Sequence, residues 1–97
     1  MKPYRPQRLA SVLKRELSSL FLRTFDFGGA LVTITDIRVA KNLERAEVDL
    51  SILPFEKGPE MFTMIEERRR EIEHELRKRL KIRSVPRLHF SIAKPAP

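Results

Sequence analysis

The chain has 97 residues, 41% of them hydrophobic, which is one compact domain's worth with enough apolar material for a core. It contains no cysteine, so disulfides, thiolate metal sites and cysteine nucleophiles are excluded. Its twenty basic residues against thirteen acidic ones give a net charge of +7, and an excess of that size on a small domain points to a polyanionic partner: RNA, DNA or an anionic membrane surface. No apolar run approaches the ~18 residues needed to cross a bilayer. Met1 to Pro6 has no apolar stretch of the signal-peptide kind, so a cytoplasmic location is expected. His74 and His89 make no ligand-spacing pattern, and no metal site is expected.

Gln7 to about Thr24 reads as a helix. Leu9, Leu13, Leu17 and Leu20 recur at helical spacing beside Val12 and Phe21, and Pro6 suits a helix start. Gly28-Gly29 supplies a turn. Leu31 to Val39 reads as a strand whose alternation slips by one residue. Val32 and Ile34 share one phase and Ile37 and Val39 the other, so a β-bulge is expected near Asp36. Lys41-Asn42 carries turn chemistry. Glu47 to Leu53 is a second strand, with Val48, Leu50 and Ile52 facing the core, and it should pair with the first as an antiparallel hairpin.

Pro54 to Pro59 reads as a loop and about Glu60 to Ile82 as a long helical segment. Met61, Ile65, Ile72, Leu76 and Leu80 form its apolar stripe, which Arg68 and Arg69 interrupt. A straight helix over that span is ~34 Å long, more than a short sheet can cover. A kink or break near Arg68-Arg69-Arg70 is therefore expected; the alternative is one continuous helix whose arginines snorkel. Pro86 ends the segment, and Leu88, Phe90 and Ile92 alternate as a third strand. The helical crossover makes it parallel to the second. The helices then cover one sheet face, and Glu47, Asp49, Ser51, His89 and Ser91 face solvent on the other.

The expected architecture is α+β in two layers, α-β-β-α-(kink)-α-β with a three-stranded mixed sheet, the order of a type II KH-like domain. Three blocks resemble one such family, ribosome-binding factor A. They are Val12-Leu13-Lys14-Arg15-Glu16-Leu17 with Leu20, then Val32 to Val39 with Lys41-Asn42-Leu43 and Ala46 to Leu50, then Leu80 to Arg83 with Val85 to Phe90. They span nearly the whole chain in order. The resemblance implies one ribosome-binding KH-like domain over residues 1–97 with a short flexible tail at about 93–97. It implies a monomeric, non-enzymatic assembly factor without cofactor, small-molecule substrate or membrane partner. That factor binds the free or immature small (30S) subunit, assists late maturation of its 16S rRNA and is linked to growth in the cold. The family's Asp-Pro-Arg-like segment survives only as Asp26, and its Ala-x-Gly kink falls on Arg68-Arg69-Arg70.

With only Gly28, Gly29 and Gly58, the chain cannot form the Gly-x-x-G loop with which KH domains approach phosphates. Charge must do more of the work. Arg70, His74, Arg77, Lys78 and Lys81 lie opposite the apolar stripe, and Arg83 and Arg87 continue the positive charge. Arg68 and Arg69 join them if the helix is kinked. Arginine suits phosphate because it can grip it with two parallel hydrogen bonds. The bland alternative is a solvated helix face, in which Glu66–Arg70, Glu73–Arg77 and Glu75–Arg79 pair at i,i+4 spacing. Arg5, Arg8 and Arg15 on the first helix and Lys41 and Arg45 in the hairpin are weaker candidates. Phe25, Phe27, Phe55 and Phe62 could stack on bases, although packing is the commoner role of such residues. A general basic module for nucleic acid or membrane is the competing reading. A third, enzymatic one would need Glu71, His74 and Glu75 in a concave site.

Overall fold

The computed structural model describes residues 4–82 and 84–93, so the expected contact at Arg83 and the tail at 94–97 lie outside the described residues. Helix α1 spans Pro6–Thr24 and buries Leu9, Val12, Leu13, Leu17, Leu20 and Phe21, the stripe its spacing predicts. Proline opens it because the missing N–H is not needed there. The Arg5 carbonyl accepts the Leu9 N–H at 2.8 Å. After Phe25, the Asp26 carboxylate accepts the Gly28 N–H at 2.9 Å. Gly28 and Gly29 take φ of 62° and 89°, left-handed values that favour glycine.

Strand β1 (Leu31–Val39) pairs antiparallel with β2 (Arg45–Leu53). The register shifts between Ile34 and Asp36, which leaves Thr35 as the extra residue of the bulge and lets both Ile34 and Ile37 point into the core. β2 begins two residues before the expected Glu47. The reason lies on its other side, where Arg45 and Ala46 pair with Arg87 and Leu88 of β3 (Arg87–Ile92), and Ala46 is fully buried. β2 and β3 are parallel, and the sheet order is β1-β2-β3.

The expected loop at 54–59 is more regular than the sequence suggests. Phe55–Lys57 form a 3₁₀ turn, and α2 (Gly58–Glu67) starts directly after it, with a proline in its first turn. α2 stops at Arg68, whose φ of −104° and ψ of 14° leave the helical region, and α3 (Arg69–Leu80) resumes at once. The Arg68 N–H donates to the Ile65 carbonyl at 3.1 Å, a tightened last turn, while the Arg68 carbonyl accepts the Ile72 N–H at 2.9 Å and opens the next helix. The continuous helix is thus not formed. Breaking the segment lets Met61 and Ile65 in α2 and Ile72 and Leu76 in α3 all reach the core. α3 ends at Leu80, two residues short of the expected Ile82. Lys81 takes a left-handed conformation (φ 55°) and donates its N–H to the Arg77 carbonyl at 2.9 Å.

The inward side chains of the three helices and three strands form one buried cluster, with Leu13, Leu17, Val48, Leu50, Ile65 and Leu76 fully enclosed. Burying each such leucine or isoleucine contributes about 1.5–3 kcal/mol. The opposite sheet face carries the expected polar residues, but Glu47, Asp49, Ser51 and His89 are half-buried there. Part of that shelter is a side-chain network. Arg38 bonds Asp36 (2.6 Å) and Asp49 (2.9 Å), and the Ser91 hydroxyl donates to Asp49 at 3.1 Å. Asp36 and Asp49 are directly opposed across the strands, so Arg38 offsets a repulsion between like charges.

Candidate RNA-binding surface

The break at Arg68 sorts the predicted basic residues into two groups. Arg70, His74, Arg77, Lys78 and Lys81 are all exposed on the outer side of α3. Arg69 is one step back towards the core. It donates to the Glu73 carboxylate at 3.3 Å, and that carboxylate also accepts the Leu88 N–H at 2.9 Å. The Arg69–Glu73 pair thereby joins α3 to the open edge of β3. Arg68 turns away from the outer side as well: its guanidinium lies 4.2 Å over the ring centroid of Phe25 and pairs with Glu71.

The pairing expected to neutralise the helix is rearranged. Glu66 and Arg70 fall on opposite sides of the break. Glu73 is taken by Arg69 and β3, Glu75 reaches Lys78 at 3.6 Å, and Arg79 crosses to Glu16 of α1 at 3.5 Å. Among the described residues, Arg70, Arg77, Lys81 and Arg87 have no carboxylate partner. The Arg77 guanidinium meets the His74 ring at 3.0 Å. The basic residues Arg77, Lys78 and Arg79 in the last turn also suit the negative end of the helix dipole. That accounts for their sign near the C-terminus but not for Arg70 in the first turn, where a positive charge is mildly unfavourable.

The weaker candidates fall into two places. Arg15 shares Glu16 with Arg79, at 3.4 and 3.5 Å, which brings the exposed α1 arginine beside α3. Arg5 and Arg8 are exposed at the start of α1. At the hairpin end, Lys41 is exposed, and Arg45 and Arg87 are direct partners across β2 and β3. Like charges so placed repel. Arg45 is held by Glu47, which leaves Arg87 unpaired beside it. Glu47 sits below the usual carboxylate range because of that hydrogen bond from Arg45. Asp49 is lowered in the same way, first by Arg38.

Of the aromatic candidates, Phe25 is buried and Phe27 and Phe62 are half-buried. Phe55 is open to solvent, with Leu31 and Leu53 nearby at the same end of the sheet. Leu53 and Phe55 line an open, mostly apolar groove of about 410 Å³ together with Thr35, Pro59, Ile92 and Ala93. Glu71, His74 and Glu75 are elsewhere, each engaged with a basic neighbour on α3 or at its start. Among the described residues there is no cluster of three or more metal-ligating side chains and no helix long and apolar enough to cross a membrane.

The family model for ribosome-binding factor A matches residues 5–95. The chain belongs to the ribosome-binding factor A family. The relative from Prochlorococcus marinus is 35% identical over 94 residues, covering 93% of this chain and 76% of the relative. That from Azotobacter vinelandii is 36% identical over 96 residues, covering 90% and 71%. The crystal structure of ribosome-binding factor A from Thermus thermophilus superimposes with a TM-score of 0.76 at 25% identity, covering 93% of this chain and 99% of that one. A homology model of the Thermus thermophilus factor, as fitted into the cryo-EM map of its complex with the 30S subunit, gives 0.75 at 26% identity over 89% and 94%. The type II KH-like fold of the family is therefore present here, with three arginines where the family's small kink residues are expected.

Proposed function

We propose that this member of the ribosome-binding factor A family is a non-enzymatic, monomeric cytoplasmic factor. It binds the free or immature small ribosomal subunit and assists late maturation of its 16S rRNA. The observation that carries the reading is the unpaired basic face of α3. Arg70, Arg77 and Lys81 stand exposed, without carboxylate partners among the described residues, on a fold shared with a factor whose homology model was fitted into the map of a 30S complex. Lys78 adds charge to that face, Arg15 extends it onto α1, and Lys41, Arg45 and Arg87 supply a second cluster at the hairpin end. Without a Gly-x-x-G loop, recognition rests on phosphate contacts and shape, so whole subunits bind better than short RNA.

The test is made in cells lacking the gene, grown in the cold. Complementation with the natural chain is expected to clear precursor 16S rRNA. Complementation with Arg70→Glu/Arg77→Glu/Lys81→Glu, expressed and folded to the same level, is expected to leave it. Normal 16S maturation with the charge-reversed variant would contradict the reading.

A further inference from the structure

We infer that Arg68 is a positioning residue and not an RNA contact: it ties the break between α2 and α3 to the ring of Phe25 and so sets the direction of α3's basic face. The inference rests on the reading of α3 as the rRNA-facing helix. Sharp breaks in helices are ordinarily made at proline, glycine or an inserted side chain. Here the break falls on an arginine between Glu67 and Arg69, so no small residue accounts for it. Three attachments of Arg68 do. Its backbone is the junction itself, the last cap of α2 and the first of α3. Its guanidinium stacks 4.2 Å over Phe25, in the connection between α1 and β1. It also pairs with Glu71 in the first turn of α3.

The ring is a firm platform. Phe25 is stacked on Phe27 (5.5 Å, 11° between planes) and meets Phe21 edge-on at 5.2 Å. A guanidinium with one face on that ring and an N–H on a carboxylate has part of its donor set committed, so a phosphate would compete with these contacts. Neighbouring Arg70 has neither restraint. The junction also has leverage. α3 has twelve residues, which makes it about 18 Å long, and turning it by about 10° at its start moves its far end by about 3 Å, beyond hydrogen-bond reach of a fixed phosphate. A cation over an aromatic face is the kind of directional contact that can hold such an angle.

The experiment uses the absence of cysteine. Nitroxide labels at Glu60→Cys in α2 and Lys78→Cys in α3, both exposed positions, report the distance between the helices by pulsed EPR. It is measured in the otherwise natural chain and with Arg68→Gln or Phe25→Leu, each checked for folding by circular dichroism. Both substitutions are expected to shift or broaden the distance distribution. In unlabelled protein, both are expected to weaken small-subunit binding about threefold to tenfold while leaving the slope of log affinity against log salt unchanged. An unchanged distance in both variants would overturn the inference. So would a slope that falls by about 0.7–0.9, one phosphate contact, for Arg68→Gln while Phe25→Leu binds normally. If Phe25→Leu does not fold, Arg68→Gln decides alone on distance and slope. Failure of the rRNA reading looks different: the natural chain does not bind small subunits, or the charge-reversed α3 binds as well as it does. The distance measurement then still decides whether Arg68 holds the break.

Discussion

Arg69 and Arg70 are adjacent in sequence and differ in exposure and in partners. Arg69 is half-buried against Glu73, whose carboxylate also serves the Leu88 N–H, whereas Arg70 is exposed without a carboxylate. Replacing Arg70 by alanine is expected to leave stability within about 0.5 kcal/mol of the natural chain. It should weaken subunit binding and reduce the salt slope by about 0.7–0.9, which a salt titration of binding measures. Replacing Glu73 by alanine should do the reverse. It leaves Arg69 and the Leu88 N–H without their partner, and a loss of about 1–2 kcal/mol is expected in urea unfolding. Binding measured well below the unfolding midpoint should change little. The sequence separates these two arginines only in part: Arg69 interrupts the apolar stripe and Arg70 lies opposite it, but the expected kink would bring Arg69 onto the same basic surface. Which one meets a carboxylate depends on where the helix breaks and on β3 arriving beside Glu73.

The elements divide by how local their causes are. α1, the hairpin, its bulge and β3 were legible because apolar periodicity, a one-residue slip in alternation and turn residues are written in contiguous segments. The helix break was legible for the same reason: an apolar stripe cannot pass through Arg68 and Arg69 on a straight helix. The 3₁₀ turn at Phe55–Lys57 and the early start of β2 were not legible, since the latter depends on pairing with a strand some forty residues away. The intrahelical ion pairs were misassigned because the break separates Glu66 from Arg70, and because Glu16 and β3, both distant in sequence, compete for the other partners. Leu76 belongs to the legible part. It is fully buried in α3, and Leu76→Ala should cost about 2–5 kcal/mol in urea unfolding.

The exposed sheet face gives an element-scale dependence on pH. Glu47 and Asp49 are held below their ordinary values in the folded chain by Arg45 and Arg38. A carboxylate lowered on folding stabilises above its unfolded pKa, roughly 4, and that stabilisation is lost as pH falls through the lower folded value. The urea midpoint should therefore hold steady from neutral pH down to about 5 with respect to these groups and fall below about 4. Glu47→Gln/Asp49→Asn should flatten part of that fall. An equal acid loss in the double variant would mean that other carboxylates are responsible.

At the scale of the whole molecule, a +7 chain will bind many polyanions, and salt dependence alone cannot separate a ribosome factor from a general basic module. What separates them is geometry: a broken helix that presents Arg70, Arg77 and Lys81 in one fixed direction, with a second basic cluster at the hairpin end. The deciding measurement is co-sedimentation with purified small subunits, large subunits and assembled ribosomes at matched salt, with Arg70→Glu/Arg77→Glu/Lys81→Glu alongside. Retention by small subunits alone, lost in the folded charge-reversed variant, is the predicted result. Equal retention by every RNA-containing particle, or undiminished binding by the variant, would contradict it.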